Sequence, residues 1–357
     1  MKNNAEWLNW ITQGNALYLD KQKIQAIKNC MRRILCFTAG MMICTGISTG
    51  QELEKDGTLV MFWNVENFFD WTDQGSGESD SEFSSDGVRR WTKKRFYAKC
   101  DAVAKTIMWI GDRYGRLPDV VGFAEVENRR VLRLMTESTL LRKCGYETVH
   151  YDSGDRRGID VALIFRTDIF ELAGTSLKTP EHEGIRLATR DILHVRLRRR
   201  ADGKETDFIV NHHPSKYGGS KASEGRRTSV MASMMEMCDS LLKTHGNRAV
   251  VAMGDFNDSP DGEQFRLLDG QLVNKALPLF EKGEGTIRYE GKWDLIDMFM
   301  TTPELRSEME IARVPFLMMR EKKHPGEKPF RTYSGPRYIG GVSDHCPIIL
   351  WIFEGNC

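Results

Sequence analysis

Residues 249–258 read AVVAMGDFND. Small apolar residues run from Ala249 to Met253 and stop at a glycine, and an acid and an amide follow at Asp255 and Asn257. A short apolar run bounded by turn-forming residues suits a strand buried on both faces. The polar pair then falls at the strand end, where an α/β sheet opens the crevice that holds ligands. Taken alone, Asp-Phe-Asn is an ordinary turn, because Asp and Asn bond their own backbone. The arrangement recurs along the chain. Asn64 and Glu66 close the run Leu59–Val65, and Glu125 and Glu127 close Val120–Val126. Asn211, His212 and His213 close Phe208–His212, while Asp344 and His345 precede Pro347–Phe353. Five strand ends that all carry hard oxygen donors or imidazole are hard to explain as turns.

The runs Asp160–Phe165 and Leu295–Met300 read as further buried strands, and Ile192–Arg199 alternates as a half-buried strand does. Helical spacing joins Val131, Leu132, Leu134 and Met135, and again Val230, Met231, Met234, Met235 and Leu241. The methionine stripe fits core packing better than a cofactor box. Residues 73–87 (DQGSGESDSEFSSDG) read as a mobile polar loop. Strands alternating with helices, without a linker or an internal repeat, give an α/β fold in a single domain over residues 51–357.

Composition agrees. The chain has 357 residues, 40% hydrophobic and 28% charged, the profile of a soluble globular protein. Fifty-one basic against 50 acidic residues leave +1, so no broad basic field advertises a polyanion. Residues 31–50 (MRRILCFTAGMMICTGISTG) place two arginines, an apolar run and small residues in the order of a secretory signal peptide. That order places the true start at Met31, with residues 1–30 an untranslated gene-start error, and cleavage near Gln51. The expected destination is periplasmic or extracellular. An uncleaved anchor is disfavoured, because an apolar run of about 14 residues falls short of the roughly 20 that span a bilayer. Without residues 1–50 the chain keeps 45 basic and 48 acidic residues, a net charge of −3, and five cysteines, none in a C-x-x-C pair. Neither a zinc ribbon nor a complete disulfide framework is supported, though one bridge stays open.

Seven segments in order, WNVENFFD (63–70), GFAEVENRRVL (122–132), DRRGIDVALIF (155–165), VNHHPSK (210–216), MGDFND (253–258), LIDMF (295–299) and SDHCPI (343–348), resemble the endonuclease/exonuclease/phosphatase superfamily. This is the deoxyribonuclease I-like group, and the resemblance covers about residues 58–353. It implies a four-layered α/β sandwich of two mixed β-sheets packed face to face with helices outside.

The same resemblance assigns roles. Asn64 and Glu125 match metal-binding positions, and Asp344 a direct or water-mediated metal ligand. The implied cofactor is Mg²⁺, with Mn²⁺ as a substitute, since oxygen donors suit a hard cation. Asp255 matches the residue that orients or deprotonates the attacking water, and Asn257 one that helps hold water and phosphate. His345 resembles a phosphate-contacting histidine and Asp297 the carboxylate that orients its ring. His212 aligns with a functional histidine, His213 being a departure from the family pattern; adjacent strand residues face opposite ways. Arg157 and Lys216 are candidates for substrate phosphate, with solvated surface as the plain alternative. Glu66 and Glu127 read as structural partners.

The expected enzyme is an exported, metal-dependent phosphodiesterase, a nuclease acting through metal-activated water. The alternative is a small-molecule or lipid phosphoesterase, sphingomyelinase-like or acting on inositol phosphates. A silent binding protein on the same fold would not need the whole set. The partner is nucleic acid or a small phosphodiester, with no obligate protein partner and a monomeric state expected.

Overall fold

Side chains along each central strand alternate between two buried faces, and this sets the layering. In strand β1 (Gly57–Phe68), Leu59, Met61 and Trp63 pack one way and Val60 and Phe62 the other. The computed structural model describes residues 57–216, 220–245 and 249–353. They lie in one compact unit within Lys55–Cys357. The leader-like segment and the Met31 start fall outside the described residues.

β1 is followed by helix α1 (Lys93–Tyr114), β2 (Val120–Val126), α2 (Arg129–Ser138), β3 (Tyr146–His150) and β4 (Asp160–Arg166). Then come β5 (Phe170–Lys178), β6 (Ile192–Arg199), β7 (Glu205–His212), helix α3 (Ser220–His245) and β8 (Ala249–Asp255). The short β9 (Val273–Asn274), β10 (Asp297–Thr301), β11 (Ser307–Ile311) and β12 (Ile348–Phe353) complete two six-stranded sheets. The first has the order β11-β12-β1-β2-β4-β3, and the second β9-β10-β8-β7-β6-β5. Both are mixed. β1 runs parallel to β2 and antiparallel to β12, and β8 runs parallel to β7 and antiparallel to β10.

Between the sheets lie Val60, Phe62, Leu163, Phe208, Val210, Val251, Met253 and Phe299. Outside the first sheet, Trp63, Phe123 and Ile164 meet Phe96, Cys100, Val103 and Ile107 of α1. Outside the second, Val250 and Ala252 meet Met231, Met234 and Cys238 of α3, so the methionine stripe is core. The molecule is therefore the four-layered sandwich. Each fully buried side chain of this size contributes about 1.5–3 kcal/mol, which drives the layering. Thr92 caps the start of α1 and Gly115 ends it at φ 72°. Among the described residues no helix is long and apolar enough to cross a membrane, and the four cysteines Cys100, Cys144, Cys238 and Cys346 are unbridged.

The loop over residues 73–87 departs from expectation. Its polar residues tie it down: Gln74 and Ser76 N–H groups donate to Asp80 Oδ2 at 2.7 and 3.0 Å, and the Asp80 carboxylate is buried. Ser76 Oγ donates to Glu127 Oε1 at 3.0 Å, and Phe83 stacks on Phe69 with centroids 4.9 Å apart. Glu78 N–H donates to Arg156 O at 2.9 Å, so this loop braces the loop 151–159. Composition suggested mobility; buried carboxylate bonds decide otherwise.

Candidate active site

The polar strand ends converge from both sheets. In the second sheet Asp255 pairs in register with His212 on one side and Asp297 on the other. Gly254 is needed there, because a Cβ would lie 2.4 Å from the Asn211 carbonyl oxygen. In the first sheet the ladder slips between Asn64 and Phe68 and between Ala124 and Val126. Glu66, Asn67 and Glu125 take φ of 49°, 49° and 65°, so these bulges turn side chains that a regular strand would send elsewhere.

Asp255 is the hub. Its Oδ2 accepts from Asn64 Nδ2 at 3.0 Å, and its Oδ1 from the Asn257 N–H at 2.9 Å. His212 Nε2 lies 3.6 Å from Oδ2 and His345 Nε2 3.8 Å. Burial and then the repelling Asp297 raise the Asp255 carboxyl to about 7. His345 bonds Asp297 Oδ2 through Nδ1 at 2.8 Å. Burial opposes a charged ring, but Asp297 and Asp255 outweigh it and hold His345 well above the ordinary histidine range. The SDH segment is locked to the first strand: Trp63 Nε1 donates to His345 O at 2.9 Å, and Ser343 Oγ to Asn64 O at 2.6 Å.

The two adjacent histidines separate. His212 turns towards Asp255 and Glu125, with Nε2 3.9 Å from Glu125 Oε1. His213 turns away, bonding Gln264 Oε1 through Nδ1 at 2.9 Å and meeting Phe256 edge-on at 4.8 Å. Burial lowers His213 to about 3, so it is a neutral core histidine. Asn257, at φ 50°, donates from Nδ2 to His213 O at 3.0 Å and so braces the turn beneath Asp255.

Glu125 Oε2 accepts from Asn67 N–H at 2.8 Å, and Oε1 faces Arg157 Nη2 at 3.4 Å. Burial raises its pKa, but Arg157, Arg190 and the Asn67 N–H outweigh that and leave it lowered, hence ionised. Asp344 sits towards the rim, its Oδ2 3.1 Å from Arg331 Nη2 and its Oδ1 4.0 Å from His345 Nε2. Lys216 pairs with Asp258 Oδ1 at 2.8 Å, whereas Arg157 reaches the centre. Glu127 accepts from Asp70 N–H at 2.6 Å and anchors a loop, and Glu66 accepts from Thr332 N–H at 2.7 Å.

Three site residues escaped the sequence reading. Arg190 is buried with Nη1 3.1 Å from Asp155 Oδ2, and its Nη2 is 2.6 Å from His212 Nε2. Lys99, on the apolar face of α1, donates to the Glu66 carbonyl and, at 3.1 Å, to Thr332 Oγ1. Arg331 bridges Glu66 and Asp344. Only Asp155, inside the DRRGID segment, offered a signal for this set.

The donor set fits a divalent cation. Asp255, Asp297 and His345 each offer an atom within 4.8 Å of the others, and the buried Asp297 Oδ1 has no hydrogen-bond partner. Glu125, ionised, brings a further carboxylate to the same centre, its Oε1 3.9 Å from His212 Nε2.

Residues 59–354 match a family model described as Endonuclease/Exonuclease/phosphatase family. No curated protein matches the sequence. Among solved structures, an endonuclease/exonuclease/phosphatase family protein from Bacteroides thetaiotaomicron aligns with TM-score 0.56 at 15% identity, over 84% of this chain and 99% of that one. A mannosyl-6-phosphatase from the same organism gives 0.55 at 15%, over 83% and 100%. The human Nocturnin catalytic domain with bound sulfate gives 0.53 at 14%, over 84% and 94%. At such identities the likeness speaks for the fold.

Proposed function

Because the chain belongs to the Endonuclease/Exonuclease/phosphatase family, we propose that it is a divalent-metal-dependent phosphodiesterase acting on nucleic acid. The observation that carries this reading is the Asp255 hub: one buried carboxylate bonded to Asn64 and facing both His212 and the His345–Asp297 pair. A cation held by Glu125, Asn64 and Asp344, Mg²⁺ or Mn²⁺ by its oxygen donors, would neutralise charge on the phosphate and favour an ionised water.

The protein's own groups do the rest. Asp255, fixed through both oxygens, takes the proton of the attacking water. His345, held protonated by Asp297, presents Nε2 to a non-bridging oxygen, where developing negative charge is strongest. Burial first, and then the donor-only Arg190, keep the His212 ring neutral beside Asp255. Arg157 and Arg331, both partly exposed, stand ready for the outer phosphate oxygens. No covalent intermediate is required.

Plasmid DNA, RNA, bis-para-nitrophenyl phosphate, para-nitrophenyl phosphate and sphingomyelin, each with Mg²⁺ or EDTA, test this. Cleavage of DNA or RNA and of the diester, abolished by EDTA, is expected, and Glu125→Gln should weaken Mn²⁺ binding about tenfold or more. Hydrolysis of the monoester alone would replace the nuclease with a small-molecule phosphatase, a reading to which the structural likeness to a mannosyl-6-phosphatase lends some support. Export is proposed from the leader-like order of residues 31–50, and N-terminal sequencing of native protein should then begin near Gln51.

A further inference from the structure

Strand β3 ends at His150 and β4 begins at Asp160. The loop between them sends two groups into the site: Asp155 to Arg190 and Arg157 to Glu125. At its root His150, Asp152 and Asp160 each bring a potential ligand atom within 4.8 Å of the other two. His150 is 4% exposed, and its Nε2 is buried without a hydrogen-bond partner. That nitrogen faces Asp160 Oδ2 at 3.6 Å, too long for a hydrogen bond, while Nδ1 stands 3.9 Å from Asp152 Oδ1. Ser153 donates to Asp160 Oδ1 and leaves Oδ2 turned to the ring. Among the described residues, neither Asp152 nor Asp160 pairs with a lysine or arginine; Asp155 in the same loop has Arg190.

We propose that His150, Asp152 and Asp160 form a second cation site, for a divalent transition ion of the Zn²⁺ or Co²⁺ class, that pins the root of the arginine-bearing loop. One imidazole and two carboxylates make a mixed donor set that prefers such an ion to Mg²⁺ or Ca²⁺. Ligand atoms around a tetrahedral ion of this kind lie about 3.3 Å apart. The observed separations are somewhat wider, 3.6 Å between His150 and Asp160 and 3.9 Å between His150 and Asp152, and the 86% exposed side chain of Asp152 is free to close its own. Burial lowers His150 to about 4, so the ring is neutral and ready to ligate. A cavity of about 480 Å³ lined by Gln74, Asn128, Arg129, Arg130, His150, Tyr151 and Asp152 leaves room for water ligands, and Arg130 is paired with Asp70. An ion there would join the Asp152 and Asp160 carboxylates to His150 at the root of the loop and hold Asp155 and Arg157 in place.

The test is Co²⁺ titration of the full chain in excess Mg²⁺, followed by visible absorption and equilibrium dialysis. One Co²⁺ equivalent should survive the Mg²⁺, and it should protect Arg156 and Arg157 from trypsin. His150→Gln and Asp152→Ala should each weaken it about tenfold or more. Glu125→Gln should keep it while losing hydrolysis, so this site and the proposed catalytic one fail separately. Asp152 is solvated, so its variant folds and decides the matter if His150→Gln does not. Wild type that takes up no Mg²⁺-resistant Co²⁺, or equal Co²⁺ affinity in Asp152→Ala, overturns the proposal.

Discussion

In the second sheet the ladders on either side of β8 stay in register to their last pairs, with Asp255 between His212 and Asp297, whereas in the first sheet both central strands slip just where they meet the site. Regular pairing fixes the spacing between neighbouring acid–base groups. The bulges do something else: they turn Glu66, Asn67 and Glu125 through positive φ and bring Glu125 to face Arg157 and His212. Asp255, His212 and Asp297 thus sit on the regular ladder, and Glu125 sits on the distorted one. Backbone strain of this sort costs of order 1–3 kcal/mol per residue and persists because Lys99, Arg331 and the Thr332 N–H hold the turned segment.

The contrast can be attacked first at the regular ladder. Asp255→Asn keeps the shape and removes the base, so kcat for a phosphodiester should fall by about 10²-fold or more while Mn²⁺ still binds in calorimetry. An undiminished rate would remove Asp255 from its assigned role. Next come the neighbouring histidines on one strand. His212→Ala should lower kcat/KM about tenfold or more, whereas His213→Gln should leave the rate within about threefold and lower Tm. The reverse pattern would mean that the face of the strand was misassigned.

The distorted sheet is tested at Asn67. Asn67→Val puts a β-branched residue at φ 49° and should cost about 1–2 kcal/mol in urea unfolding, while Asn67→Gly should be close to neutral. Equal stability of the two variants would argue that the turn is not strained. A further effect is on pH dependence. His213 has a folded pKa of about 3 against an ordinary 6.5, so the unfolded chain binds its proton first. The stability His213 confers is therefore fully present above pH 6.5 and is lost as pH falls below it. The stability gap between wild type and His213→Gln should shrink by about 1.4 kcal/mol per pH unit below that point. A gap independent of pH would mean that His213 is charged, or exposed, in the native protein.

Strands were legible because burial on both faces leaves an apolar run. Val120–Val126 and Ile192–Arg199 have the bounds expected, and Ala249–Asp255 extends the apolar run by Gly254 and Asp255. The resemblance reached the sandwich and the polar strand ends. It did not reach Arg190, an arginine ahead of an apolar strand whose meaning comes from Asp155, 35 residues earlier, and His212, 22 residues later. The loop 73–87 misled for a similar reason. Its serines and acids look solvated until Glu127 and a buried Asp80 become their partners.

By itself the sequence determined the layered α/β frame and the chemical types gathered at the strand ends, because alternation and apolar runs are local and each is written within a few residues. The split between His212 and His213 also followed from the period of two, although which of them faces Asp255 did not. The tertiary structure decided that, along with the charge state of Asp255 and His345 and the bulges that turn Glu125. Each of these depends on groups tens to hundreds of residues apart: Asn64 on Asp255, Asp297 on His345, Lys99 on the carbonyl of Glu66. Desolvation and long-range charge arise only when the sheets close, and no window of sequence contains them.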